Sequence, residues 1–243
     1  MLIINADDLG RNRESTDRIL ACYKARRLTS TSAMVFMEDS ERAARLAASA
    51  GIGVGLHINF SETFTQAGTP ATIHLPHERV VRFLRRHKCA LLIYNPFLAK
   101  SFRDSFRHQN DEFLRLFGRP PSHYDGHQHM HLATNMLFQR IIPEKARVRR
   151  SFTFYEGEKS WLNRAYRRAV DKKLVAGNQT TDCFFSLAHY MQPDRLSSIV
   201  KLAASKSVEL MVHPHLENEF NFILSEGFAK CIRPAKLCRY DEL

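Results

Sequence analysis

The chain lacks the marks of several large protein classes. No apolar run approaches ~18 residues, so no membrane-spanning helix is expected. The opening Met1-Leu2-Ile3-Ile4-Asn5-Ala6-Asp7-Asp8 has no basic stretch followed by a long apolar one, so no secretory signal is expected. Cysteine is sparse: Cys22, Cys89, Cys183, Cys231 and Cys238 are widely spaced, odd in number and without a C-x-x-C pair. That argues against a disulfide framework or a thiolate zinc site, and predicts reduced thiols in a cytoplasmic protein. There is no G-x-S-x-G elbow, no G-x-x-x-x-G-K-[ST] loop and no G-x-G-x-x-G loop. Serine hydrolases, P-loop nucleotidases and Rossmann dehydrogenases are thereby disfavoured. No internal repeat, low-complexity tract or linker interrupts the 243 residues.

Negative charge is in short supply. Lys and Arg number 36 against 25 Asp and Glu, a net charge of +11. The basic residues fall in scattered clusters at Arg26-Arg27, Arg85 to Lys88, Arg147 to Arg150 and Arg164 to Lys173. No nucleic-acid-binding motif accompanies them, so no specific nucleic-acid partner is expected; with no spanning segment, no membrane partner is expected either.

What is present is ordinary globular composition, 44% hydrophobic, arranged as alternating strand-like and helical segments. Strands are expected at 2–5, 31–37, 53–59, 123–127, 148–154, 181–186 and 208–213, with a last one at 236–240. Helices are expected at 17–26, 40–50, 78–88, 96–117, 135–145, 160–176 and 193–205, and a loop at 61–76. The aromatics from Tyr94 to Tyr124 read as core. Repeated β-α units imply a parallel sheet with helices outside. At this length a single α/β domain over residues 1–243, a closed or distorted (β/α) barrel, is expected, with an open doubly wound sheet as the alternative.

Polar residues gather where the apolar strands end. Asp7 and Asp8 follow Leu2-Ile3-Ile4, His57 follows Val54-Gly55-Leu56, Asp125 and His127 close the fourth run, and His213 closes Leu210-Met211-Val212. In parallel α/β proteins the carboxyl ends of the strands carry the active site. His and Asp together suit a divalent metal. On an extended chain Asp7 and Asp8 point to opposite sides, so one suits a metal and the other a proton; the bland alternative is that they cap the next helix. In His127-Gln128-His129-Met130-His131 the alternate histidines of an extended chain share one face. His129 and His131 then orient a ligand or touch substrate.

The motifs Asn5-Ala6-Asp7-Asp8-Leu9-Gly10, Gly55-Leu56-His57-Ile58-Asn59, His123 to His131 and Val212-His213-Pro214, in that order, resemble the YdjC/ChbG-like carbohydrate deacetylases. The resemblance implies a distorted barrel and one divalent metal, Mg²⁺ or Zn²⁺. It implies removal of acetyl groups from N-acetylated amino sugars or oligosaccharides. It makes Asp8, His57 and His127 the metal ligands, Asp7 the general base and His213 the general acid. Asp125 is expected to pair with His213, and a homodimer is compatible with the family. Leu9, Gly126 and His215 depart from the usual Phe, Ser and Gly. The alternatives are a metal-dependent phosphoesterase, which with Asp125 would need a crowded two-metal site, and a non-catalytic carbohydrate-binding relative.

Overall fold

Apolar runs and amphipathic runs take turns along the chain, and they fold into one parallel sheet backed by helices. The computed structural model describes residues 1–87, 89–154 and 158–243. The strands are β1 (Leu2–Leu9), β2 (Ser30–Ala33), β3 (Gly53–Ile58), β4 (Tyr124–Gly126), β5 (Cys183–Ser186) and β6 (Val208–Val212). The helices are α1 (Arg13–Lys24), α2 (Ser40–Ala50), α3 (Ala71–Arg86), α4 (Ala99–Phe117), α5 (Thr134–Gln139), α6 (Trp161–Val175), α7 (Pro193–Leu202), α8 (Glu217–Leu224) and α9 (Glu226–Ile232). The sheet order is β4-β3-β2-β1-β6-β5, and every strand pair in it is parallel. Every residue of the six strands is buried, which is why they read as near-continuous apolar runs.

The sheet curls into a half-barrel of six strands, fewer than the expected seven or eight. Residues 148–154 do not form a strand. Arg149 N–H donates to Tyr124 O at 2.9 Å on one edge, and Thr153 N–H donates to Phe184 O at 2.9 Å on the other. A segment passing from β4 to β5 cannot stay in register with both. Residues 236–240 make a single bridge, Leu237 to Leu2. The β1–β2 ladder begins only at Asn5, so Leu2 has an open side there.

Other differences are local. The expected loop at 61–76 ends early, because α3 begins at Ala71 and runs through Pro76. Pro76 lacks one N–H and so costs α3 one internal bond. Lys88, the expected end of this helix, lies outside the described residues. The helix expected at 135–145 stops at Gln139. Phe102, Phe106, Phe113 and Tyr124 are core as expected, but Phe97 is 93% exposed and Tyr94 42%. No helix among the described residues is long and apolar enough to cross a membrane.

Candidate functional site

Asp7 and Asp8 end the central strand β1, and they do not point to opposite sides. Asp8 has φ 73°, in the left-handed region, and β1 bulges between Ala6 and Leu9 against β2. A non-glycine residue held there costs ~1–3 kcal/mol, and such strain gathers at functional sites. The twist turns both carboxylates into one pocket. Asp8 Oδ1 lies 2.9 Å from His127 Nδ1 and 3.3 Å from His57 Nε2. Asp7 Oδ2 lies 3.9 Å from both His57 Nε2 and His213 Nε2. Neither carboxylate caps α1; Asn12 does, accepting from Ser15 N–H at 2.8 Å.

His57 stands on β3 with its ring orientation set from behind. Its Nδ1 is 2.8 Å from Asp125 Oδ1, leaving Nε2 toward Asp8. Burial opposes a charge on His57, but the Asp125 and Asp7 carboxylates outweigh it and raise its pKa to about 10. The place calls for positive charge. Asp125 also accepts from Ser32 Oγ at 2.7 Å and meets Arg149 Nη2 at 2.8 Å. Its expected pairing with His213 is therefore absent: β4 lies on the far side of β1 from β6, and Asp125 is used up by β2, β3 and Arg149. The neighbour of His213 is Glu219 of α8. Glu219 Oε2 accepts from the His213 backbone N–H at 2.7 Å, and Oε1 lies 3.8 Å from Nδ1. Burial opposes the imidazolium, but Glu219, Asp7 and Asp8 together hold the His213 pKa above its usual value.

Arg149 is the residue that sequence reasoning missed. It is fully buried. Its Nη1 and Nη2 reach Asp7 Oδ2 and Oδ1, each at 2.7 Å, and its Nε reaches Glu209 Oε1 at 2.7 Å. Its guanidinium carbon sits 4.9 Å from the centre of the Phe184 ring. In sequence it belongs to the basic cluster Arg147 to Arg150 and looks solvated. The available signal was electrostatic: acids at the ends of buried strands require a buried cation. Glu209, the third acid on this guanidinium, has its pKa raised to about 7 by burial, against the pull of Arg149.

The histidine run is not extended. β4 ends at Gly126, and the chain then turns tightly over His127–Leu132, with Gln128 and His129 in the left-handed region at φ 51° and 59°. The three histidines therefore face different surroundings. His127 Nδ1 meets Asp8, and its Nε2 lies 3.3 Å from Glu62 Oε1. His129 packs edge-on against Phe152, ring centres 4.5 Å apart; burial and Arg149 hold its pKa well below the usual value. His131 is fully buried, its Nε2 3.0 Å from Arg149 O, and burial lowers its pKa to about 4. The segment turns so tightly that a Cβ on Gly126 would lie 2.8 Å from His131 N.

The pocket so formed encloses about 290 Å³, and Asp7, Asp8, His57, His127 and His213 all line it. His129 reaches it too, whereas Asp125 and His131 stand behind it. Its rim carries Arg11, Glu62 and His215. Arg11 grips Glu62 at 2.6 Å, and His215 Nδ1 lies 3.5 Å from Asp8 Oδ2.

Asp8, His57 and His127 are all buried, and each offers a ligand atom within 4.8 Å of the others. Zinc bonds of ~2.0–2.1 Å put tetrahedral ligand atoms about 3.3 Å apart. The Asp8–His57 and Asp8–His127 separations of 3.3 and 2.9 Å approach that. Asp8 Oδ2 is buried without a hydrogen-bond partner. These residues fit a divalent cation. Asp7, His57 and Asp125 make a second such cluster, but there Arg149 already supplies the positive charge, at 2.7–2.8 Å from both carboxylates.

A parallel half-barrel with a buried Asp-His-His cluster at its carboxyl end defines the class as an α/β protein whose candidate site lies where its strands end. Within it, residues 1–234 match the YdjC-like protein family, and the chain belongs to that family. A carbohydrate deacetylase of Mus musculus is 33% identical over 249 residues, covering 88% of this chain and 77% of the relative. A chitooligosaccharide deacetylase of Proteus mirabilis is 33% identical over 144 residues, or 59% of this chain and 53% of the relative. Another, of Serratia marcescens, is 29% identical over 54% of this chain and 51% of its own length. The match thus spans about half the length of these two bacterial relatives. A crystal structure from Enterococcus faecalis V583, of a protein named for cellobiose-phosphate cleavage, shares the fold. It has TM-score 0.70 and 17% identity, over 99% of this chain and 97% of that one.

Proposed function

We propose that the protein is a metal-dependent hydrolase that removes acetyl groups from N-acetylated amino sugars or oligosaccharides. The observation that carries this is the buried Asp8, His57 and His127 cluster, with Arg149-held Asp7 on one side and His213 on the other. The relatives named carbohydrate and chitooligosaccharide deacetylases supply the substrate class.

Asp8, His57 and His127 would hold one ion, Mg²⁺ or Zn²⁺, which when bound would polarise the acetamide carbonyl and lower the pKa of the attacking water. Asp7 Oδ2 takes the proton of that water, and Arg149 fixes both Asp7 oxygens so that this atom faces the reaction. His213 Nε2 gives a proton to the departing amine, as the C–N bond breaks to release acetate and a free amino sugar. Asp125 orients His57 through Nδ1. His129 lines the pocket and packs edge-on against Phe152. His131 holds the backbone of Arg149.

A two-metal phosphoesterase would need a second cation among Asp7, His57 and Asp125, where the Arg149 guanidinium repels one. The test is acetate release from a panel of N-acetylated sugars, before chelation, after it, and after metal is returned. Release that chelation stops and metal restores supports the reading. Release of phosphate but never of acetate overturns it.

A further inference from the structure

Two aromatics of the segment joining α3 to α4, Tyr94 and Phe97, read as core in sequence and are exposed. Phe97 is 93% exposed, Ile93 54% and Leu92 46%. Nearly complete exposure of a phenylalanine forgoes ~1.5–3 kcal/mol of burial, so it asks for a reason. Phe97 precedes Leu98, and Leu98 lines a groove of about 840 Å³ along α3. Arg79, Arg82, Arg85 and Arg86 line the same groove. All four are exposed, and none forms an ion pair among the described residues. Glu78 is the one acid in the lining. Free arginines along a helix, followed by a segment with exposed apolar side chains, are what a charged bilayer surface takes up.

We propose that this face, the arginines of α3 with Phe97 and Ile93, docks the protein reversibly on an anionic lipid surface. The arginines meet the headgroup phosphates and carboxylates, while Phe97 and Ile93 enter the boundary between headgroups and acyl chains. The expected absence of a membrane partner rested on the lack of a spanning segment, and a docking face needs none. Charge complementarity selects this occupant. In a twofold dimer built on the same face, the arginines would oppose their own copies with Glu78 as the only acid in the groove. The face is separate from the metal-ligand cluster and needs nothing from the proposed reaction.

Flotation with vesicles of phosphatidylcholine, with and without 30% phosphatidylserine, tests this. Binding to the anionic vesicles should exceed that to neutral ones by at least ~30-fold, since each arginine near the surface is worth about fivefold. R82E/R86E should abolish most of that preference, and F97S should weaken binding about tenfold. R168E/K172E removes the same charge from α6 and should change binding less than threefold, which separates the face from the net charge of +11. All the substituted side chains are exposed, and circular dichroism verifies that the variants fold. Equal loss in the α6 control, or equal binding to neutral vesicles, overturns the proposal. So does a Phe97-dependent dimer that forms without lipid, or RNA that binds this face more tightly than the vesicles do. Acetate release is not a readout here, so a failed deacetylase reading and a failed docking proposal give different results.

Discussion

Arg149 grips both carboxylate oxygens of Asp7 at 2.7 Å, across 142 residues of chain and with no exposure of the guanidinium. The same group touches Asp125 and Glu209. One cation thus serves Asp7 in the pocket and Asp125 and Glu209 beside it, and Asp8 is left facing His57 and His127. Removing it leaves buried carboxylates uncompensated. Arg149→Met should destabilise the fold by about 3–5 kcal/mol, read from urea unfolding. Arg149→Lys should rescue only part, because an ammonium cannot bind two oxygens in parallel. Unchanged stability in the Met variant would show that the cluster does not need this charge.

Ligand and base should separate in mutants. His57→Ala and His127→Ala are expected to lose bound metal by elemental analysis. Asp7→Asn should keep it while kcat for acetate release falls at least about a hundredfold. Near-normal turnover in Asp7→Asn would remove Asp7 from the proton-accepting role.

His213 should set the alkaline limb of the pH–rate profile. Its pKa is held up against burial by Glu219, Asp7 and Asp8, and activity is lost as pH rises through that value. Glu219→Gln withdraws a carboxylate that favours the protonated ring, so the limb should move to lower pH. Asp125→Asn should leave the limb in place and instead loosen His57. A limb that follows Asp125 and ignores Glu219 would contradict the contacts described above.

Acid should weaken the fold through buried neutral histidines. His77 has Nε2 2.7 Å from Glu62 O, stacks on Phe64 at 3.7 Å, and is pushed by burial from 6.5 down to about 4. Above pH ~6.5 neither the folded nor the unfolded chain is protonated there, and nothing is lost. Below it the unfolded chain takes a proton that the fold refuses. Stability therefore declines from about pH 6.5 to about 4, by about 3 kcal/mol for this residue. His131, lowered to about 4, and His123, lowered to about 3, act in the same direction. Urea unfolding between pH 7.5 and 4.5 reads the slope, and His77→Gln should flatten it.

The strand ends were legible in the sequence because apolar runs closed by Asp or His carry their own punctuation. Local pattern put Asp8, His57 and His127 among the polar residues at strand ends, the family resemblance singled them out, and the structure brings them within reach of one another. Two helices carried their own stops: α2 is an Ala-rich run ended by Gly51, and α6 a basic run that ends before Gly177. The direction of each side chain was not legible. Asp7 and Asp8 share a pocket only because Asp8 adopts a positive φ at a bulge, and such strain is held by packing that no nearby residue announces. The histidine run leaves the extended state at Gly126 for a comparable reason.

By itself the sequence determined the parallel α/β architecture, the apolar strands and the set of residues gathered at their carboxyl ends, since these follow from local periodicity and chain connectivity. Only the tertiary structure decided which acid meets which base. Arg149 became the central cation, Glu219 replaced Asp125 beside His213, and Phe97 was left outside the core. Each of these is a contact or an exposure set by where separate segments meet, and burial and charge balance are properties of the assembled fold.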